Sequence, residues 1–358
     1  MSLNKMKILF LLLTSLWLSA VSGATVIPNE LGAPTAGGLP RESSLDYEIT
    51  YGSVRVGEEL QRVIVTVPPG AGAKPALLFI GGMGCYSVDF SGGNSIASYQ
   101  IAIELATRAG FVTMRVEKSG MGDSKGTACQ DQDFQRELQG NLAGLQALVK
   151  YPFVKADQIY IFGHSIGGVI APYLASQVPV KSIAVMGTLA GNWYDYTLIN
   201  TERQLALAGL NPMQIFHEMK KARAATDMLL KQKMSPAAII QQYPELANYV
   251  TSPVSYTYMQ QLADLDVEGE LLKSNSKYLI LSGESDFVAS QYDELMAMAA
   301  RLNPKRSTPI EVLQIPQLDH FFMNANSQQE SFNQKHIDGS PLYLQNSIYS
   351  VLKVNFLL

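Results

Sequence analysis

The pentapeptide Gly163-His164-Ser165-Ile166-Gly167 is the stretch whose residue types and spacing best suit covalent chemistry. Residues 158–162 before it form an apolar run, and residues 168–178 after it carry the small-residue pattern of a helix. Ser165 therefore falls at a strand-to-helix turn. Glycines two residues to either side let strand and helix approach closely, and a strained turn lifts the serine hydroxyl clear of the backbone for attack. The N-terminus of the following helix favours negative charge developing on a substrate oxygen. The alternative is a turn that serves packing alone. A chain rich in glycine and serine gives about 0.2 matches to this pattern by chance, so context must carry the assignment. A second match, Gly122-Asp123-Ser124-Lys125-Gly126, also follows an apolar run, 111–116, but residues 127–131 are polar and open no helix. Ser124 reads as a loop residue.

A serine hydroxyl needs a base, and the chain has only four histidines: His164, His217, His320 and His336. His164 adjoins Ser165 on so tight a turn that the two side chains point different ways. His217 lies within an expected helix, and His336 lies in a polar segment, 324–338. His320 follows the last expected strand, in Leu318-Asp319-His320-Phe321-Phe322, where it reaches the strand edge shared with Ser165. The base needs a carboxylate to hold its tautomer and stabilise the imidazolium. Asp286, in the loop after the apolar run 277–281, is the leading candidate, with Glu284 and Asp319 as alternatives. The oxyanion needs two backbone donors. One is the N–H of Ile166. The other is expected from the glycine-rich loop Gly81-Gly82-Met83-Gly84 after the run 76–80, with Met83 preferred and Gly82 next. No Gly-Lys-Ser/Thr follows these glycines, which argues against a phosphate cradle. The histidines and cysteines show no metal-ligand spacing, so neither metal nor cofactor is expected.

The elements that must position these residues alternate. Apolar runs at 76–80, 111–116, 158–162, 182–186, 277–281 and 310–315 are separated by helix-length patterns at 97–109, 133–150, 168–178 and 291–302, with a closing helix at 341–354. Two further strands are expected at 45–51 and 62–67. Buried apolar strands alternating with helices indicate an α/β protein with a mainly parallel twisted sheet covered on both faces. The alternation breaks once, between 192 and 272. There Asn211-Pro212 and Ser235-Pro236 each place a capping side chain before a proline at the first helical position. Met213, Ile215, Phe216, Met219, Met228 and Leu229 recur at helical spacing and are expected to form the core of a helical subdomain. Over the carboxyl ends of the strands such an insertion is placed to act as a lid.

The order Ser, Asp, His, each after a strand, resembles the α/β-hydrolase superfamily. That resemblance implies nucleophile Ser165, acid Asp286, base His320 and oxyanion donors at Ile166 and Met83. Gly81 departs from the His-Gly pair that often opens the family's oxyanion loop. The segment 117–124 is similar to the family's glycine-bearing turn after its fourth strand, which suits a structural role for Ser124. The division expected is a core of 24–191 and 273–358 with an inserted helical cap or lid at 192–272.

Bulk properties set the setting. Lys5 and Lys7, the apolar stretch 8–18 and the small residues 19–24 are the three parts of a secretory signal peptide, expected at 1–23. The apolar stretch is short for a membrane anchor. Removing Lys5 and Lys7 with the leader takes the formal charge from −4 to −6, and no long basic run remains to attract nucleic acid or an anionic membrane. Cys85 and Cys129 are the two cysteines, and in an oxidising compartment they permit one disulfide closing a loop of about 45 residues. The expectation is an exported, periplasmic or secreted serine hydrolase that cleaves small carboxylic esters bearing an apolar group. A serine peptidase or an acyltransferase would share the triad, and a non-catalytic carrier of hydrophobic ligands is the reading from another class.

Overall fold

The computed structural model describes residues 27–34, 41–91 and 96–334. The expected leader, His336 and the expected helix at 341–354 lie outside them. An eight-stranded sheet carries the molecule, built from β1 (Glu48–Val56), β2 (Glu59–Val67), β3 (Lys74–Ile80), β4 (Val112–Val116), β5 (Val154–His164), β6 (Ser182–Met186), β7 (Lys277–Gly283) and β8 (Ile310–Ile315). Their order across the sheet is β1-β2-β4-β3-β5-β6-β7-β8. β1 and β2 run antiparallel to each other and β2 to β4, and every other neighbouring pair is parallel. β4 and β6 are buried at every residue, as strands covered on both faces must be.

Alternate residues of each strand feed two different cores. Leu78, Ile80, Ile161, Val185 and Ile280 pack on one face with α2 (Phe134–Leu148), α3 (Gly167–Gln177) and α9 (Tyr292–Leu302). Phe79, Phe162, Met186 and Leu281 pack on the other with α1 (Ala97–Arg108) and the ring of Phe322. The first strand departs from expectation. It was expected to stop at Tyr51, before Gly52, yet it continues to Val56 and turns at Gly57 (φ +58°). Gly52 is not a strand end but a point of close approach: a Cβ there would lie 2.4 Å from the Ile27 side chain.

Between β6 and β7 the chain is helical, as α4 (Trp193–Leu207), α5 (Pro212–Thr226), α6 (Pro236–Gln242), α7 (Tyr256–Ala263) and α8 (Val267–Lys273). Asn211 and Ser235 cap α5 and α6 with their side chains, Asn211 in a reciprocal box with Gln214. This region has its own small core, including Leu229, Leu230, Ile239 and Leu246. Met213 and Phe216 do not join it; they are 65% and 54% exposed. The buried residues of α5 are Ala222, Ala225 and Thr226, small side chains that leave the bulky ones outside. A last short helix, α10 (Gln328–Gln334), follows β8 inside the segment read as polar and solvated. Among the described residues no helix is long and apolar enough to cross a membrane.

Candidate active site

Ser165 sits between β5 and α3 with φ +54°, a left-handed conformation rare for a residue with a side chain. Its amide donates to the Met186 carbonyl of β6 at 2.8 Å, and its carbonyl accepts from Gly168 N at 2.9 Å. The flanking glycines are forced by space. A Cβ on Gly163 would lie 2.4 Å from the Gly167 carbonyl oxygen, and one on Gly167 would lie 2.3 Å from that of Ile80. The strain is therefore held by the packing of β3, β5 and the first turn of α3.

His320 hangs in the loop after β8 and Asp286 in the loop after β7. His320 Nδ1 lies 2.9 Å from Asp286 Oδ2, and His320 Nε2 lies 3.2 Å from Ser165 Oγ. A carboxylate can only accept, so Nδ1 carries the proton and Nε2 presents its lone pair to the serine hydroxyl. Both residues are buried. Burial alone would raise the Asp286 carboxyl, but His320 and the amides of Ala289 and Val288 outweigh it and hold the pKa below the ordinary value. Gly187, ending β6 at φ +67°, makes room for the pair: a Cβ there would lie 2.9 Å from the His320 ring. No signal in the sequence marked it.

The competing carboxylates are engaged elsewhere. Asp319 accepts from the amides of Phe321 and Met323 and from Ser331 Oγ, each at 2.8 Å, and so shapes the loop that carries His320. Glu284 is exposed and accepts from Gln317 N. Ser124 is buried with its Oγ accepting from Arg62 N at 2.9 Å, while Asp123 pairs with the Arg62 guanidinium. His217 is exposed on α5.

His164 is buried under the site. Its Nε2 lies 2.8 Å from the His320 carbonyl oxygen, an acceptor only, so that nitrogen carries the proton. Nδ1 then accepts from Tyr99 Oη at 2.6 Å, and Tyr99 Oη accepts from the amide of Gly82 at 2.8 Å. Burial, and next the proximity of His320, push His164 down to about 3, so the ring is neutral. This chain of bonds ties the loop after β3 to the loop that carries His320. It also occupies the Gly82 amide.

Met83, Ser165, Ile166, Leu189, Trp193 and Tyr196 line a small cavity of about 30 Å³ above the serine. Trp193 and Tyr196 belong to α4 and were not anticipated, because nothing local in a helix marks which turn meets a distant loop. Phe322 is fully buried against His164 and stays out of the cavity, and Phe287 and Phe321 are not among its walls. Cys85 and Cys129 form a disulfide, as expected. Among the described residues no group of His, Cys, Asp and Glu is arranged to hold a metal ion.

This fold and this arrangement of strand-end loops point to one family. A family model described as the alpha/beta hydrolase family matches residues 77–332, so the chain belongs to that family. Its fold is shared by an α/β-hydrolase from Penicillium sp., with TM-score 0.53 and 15% identity over 87% of this chain and 98% of that one. An esterase from Pyrococcus furiosus is similar with TM-score 0.51 and 12% identity over 93% and 98%. A hypothetical protein from Pseudomonas aeruginosa follows with TM-score 0.51 and 13% identity over 82% and 92%. At such identities the likeness is one of fold. No curated protein matches the chain in sequence.

Proposed function

We propose that the chain is an exported serine hydrolase that cleaves carboxylic esters through an acyl-enzyme on Ser165. The observation that carries this reading is the continuous contact from Ser165 Oγ through His320 to Asp286, at 3.2 and 2.9 Å. His320 Nε2 takes the hydroxyl proton as Oγ attacks the ester carbonyl, and Asp286 stabilises the imidazolium. The oxyanion is held by the amide N–H groups of Ile166, at the start of α3, and Met83, both on the cavity wall. His320 then protonates the departing alcohol, and water repeats the sequence to release the acid.

The cavity supports a neutral apolar acyl group, since Met83, Val169, Leu189, Trp193 and Tyr196 supply its walls and no charged residue lines it. Residues 192–272 act as the cap over a core of 24–191 and 273–358, with 1–23 as the export leader. The disulfide supports an oxidising destination. The test is labelling by a fluorophosphonate probe together with hydrolysis of p-nitrophenyl butyrate. Ser165→Ala is expected to abolish both, and Ser124→Ala to leave labelling intact in folded protein. The reverse pattern would move the nucleophile to Ser124.

A further inference from the structure

The Gly82–Met83 peptide is gripped from its carbonyl side by two donors that the acyl-enzyme sequence does not use. Lys118 Nζ donates to the Gly82 carbonyl at 2.8 Å and to the Gly84 carbonyl at 3.0 Å. Tyr86 Oη donates to the same Gly82 oxygen at 2.6 Å. The Lys118 side chain is 10% exposed, and its counter-ion Glu137, 4% exposed, lies 3.0 Å away. Glu137 in turn accepts from Tyr258 Oη on α7 at 2.8 Å. Burying an ion pair is costly, and the three ammonium donors are directed at one carboxylate and two carbonyls of a single loop.

A trans peptide is planar, so its C=O and N–H point from opposite edges. No cis peptide occurs among the described residues. With the Gly82 oxygen turned toward Lys118 and Tyr86, the N–H of Met83 is turned the other way, and Met83 lines the Ser165 cavity. A cation on the carbonyl oxygen also polarises the peptide and makes its N–H a stronger donor. We infer that Lys118 is a positioning residue for the oxyanion hole, its ammonium orienting and polarising the Gly82–Met83 peptide so that the Met83 amide faces the developing oxyanion. This rests on the proposed reading of Ser165 as nucleophile. Through Tyr258 and Glu137 the inserted helices brace that ammonium, which makes them part of the catalytic frame as well as a cover.

The experiment compares wild type, Lys118→Met, Lys118→Arg and Tyr86→Phe on p-nitrophenyl butyrate, with active sites titrated by fluorophosphonate and inhibition measured with a trifluoromethyl ketone, whose adduct carries an oxyanion. Loss of a direct oxyanion donor costs about 10²–10³ in turnover, so weakening one through its peptide should cost about 10-fold. Lys118→Met is expected to lower kcat per titrated site by that factor and to weaken the ketone equally, with KM little changed. Lys118→Arg should recover part of both. Tyr86→Phe removes a bond to the same carbonyl without stranding the Glu137 charge, and should show the same pattern at about 3-fold; it decides the matter if Lys118→Met does not fold. Unchanged kcat per titrated site and unchanged ketone affinity in the folded variants would overturn the inference. Activity that survives Ser165→Ala would instead bring down the nucleophile assignment, and the inference with it.

Discussion

His320 and Asp286 form a buried pair 2.9 Å apart, so removing either side chain leaves the other without its partner. In the proposed triad the members act as a unit, so His320→Ala is expected to cost at least about 10³ in kcat, and Asp286→Asn a comparable or smaller factor. His217→Ala, on an exposed helix face, should be mild. Steady-state kinetics on folded protein check this, and near-normal turnover in His320→Ala would sink the assignment. A second buried carboxyl has the opposite behaviour. Glu117, just after β4, accepts from Ser87 Oγ and Val88 N, which favour its charged form, yet burial dominates and raises it to about 7 from 4.5. The folded chain thus binds this proton more tightly than the unfolded chain. Its contribution to stability is fully present below pH 4.5 and is lost as pH rises through 7, on the order of 3 kcal/mol in all. Thermal unfolding between pH 5 and 8 should show wild type losing stability with rising pH more steeply than Glu117→Gln; parallel curves would mean the carboxyl is charged throughout.

Among the elements, α4 decides most about the site. Asn200 donates to the carbonyls of Phe287 and Val288, Tyr196 Oη to that of Val288, and Arg203 to that of Ala289. The helix therefore clamps the loop that presents Asp286 while placing Trp193 and Tyr196 on the cavity. A cavity of about 30 Å³ falls far below the roughly 300 Å³ at which ligand pockets begin. Only a short acyl group fits unless the wall shifts. In a series of p-nitrophenyl esters, kcat/KM is expected to rise over the first few methylenes, by about 1 kcal/mol each at most, and then fall. Trp193→Ala should move the maximum to longer chains. An acyl-length profile that Trp193→Ala leaves unaltered would show that the indole is not the barrier.

For the whole molecule, the Cys85–Cys129 link joins the loop after β3 to the turn before α2, spanning 44 positions of sequence. Closing such a loop in the unfolded chain is worth about 4 kcal/mol in the chain-entropy model. Cys85 lies two residues beyond Met83, so the same link braces the loop proposed to supply the Met83 amide. Reduction is expected to lower both the unfolding midpoint and kcat, read by thermal unfolding and kinetics with and without reductant. Mass spectrometry of the unreduced protein should find the two cysteines joined, and finding both thiols free would refute the bridge.

Sheet, helices and the tight turn that carries Ser165 were legible in the chain because each depends on local pattern. Strands β6 and β8 run over the residues expected of them, Ser182–Met186 and Ile310–Ile315, since both are short, rich in Ile and Val, and lie between helical periods. Asn211 and Ser235 announced their helices through capping chemistry that acts over three residues. The end of β1 was less legible: a glycine such as Gly52 looks the same whether it ends a strand or admits a neighbour, and only Ile27, distant in sequence, tells them apart. The remaining partners of the site were invisible for want of any local mark. Lys118, Tyr99, Gly187 and Trp193 acquire their roles from groups brought across the sheet edge by the topology, as Met213 and Phe216 lose an expected place in the core once the small face of α5 packs inward. Local periodicity encodes which elements form, whereas side-chain contacts between elements are fixed only when the folded chain brings them within reach.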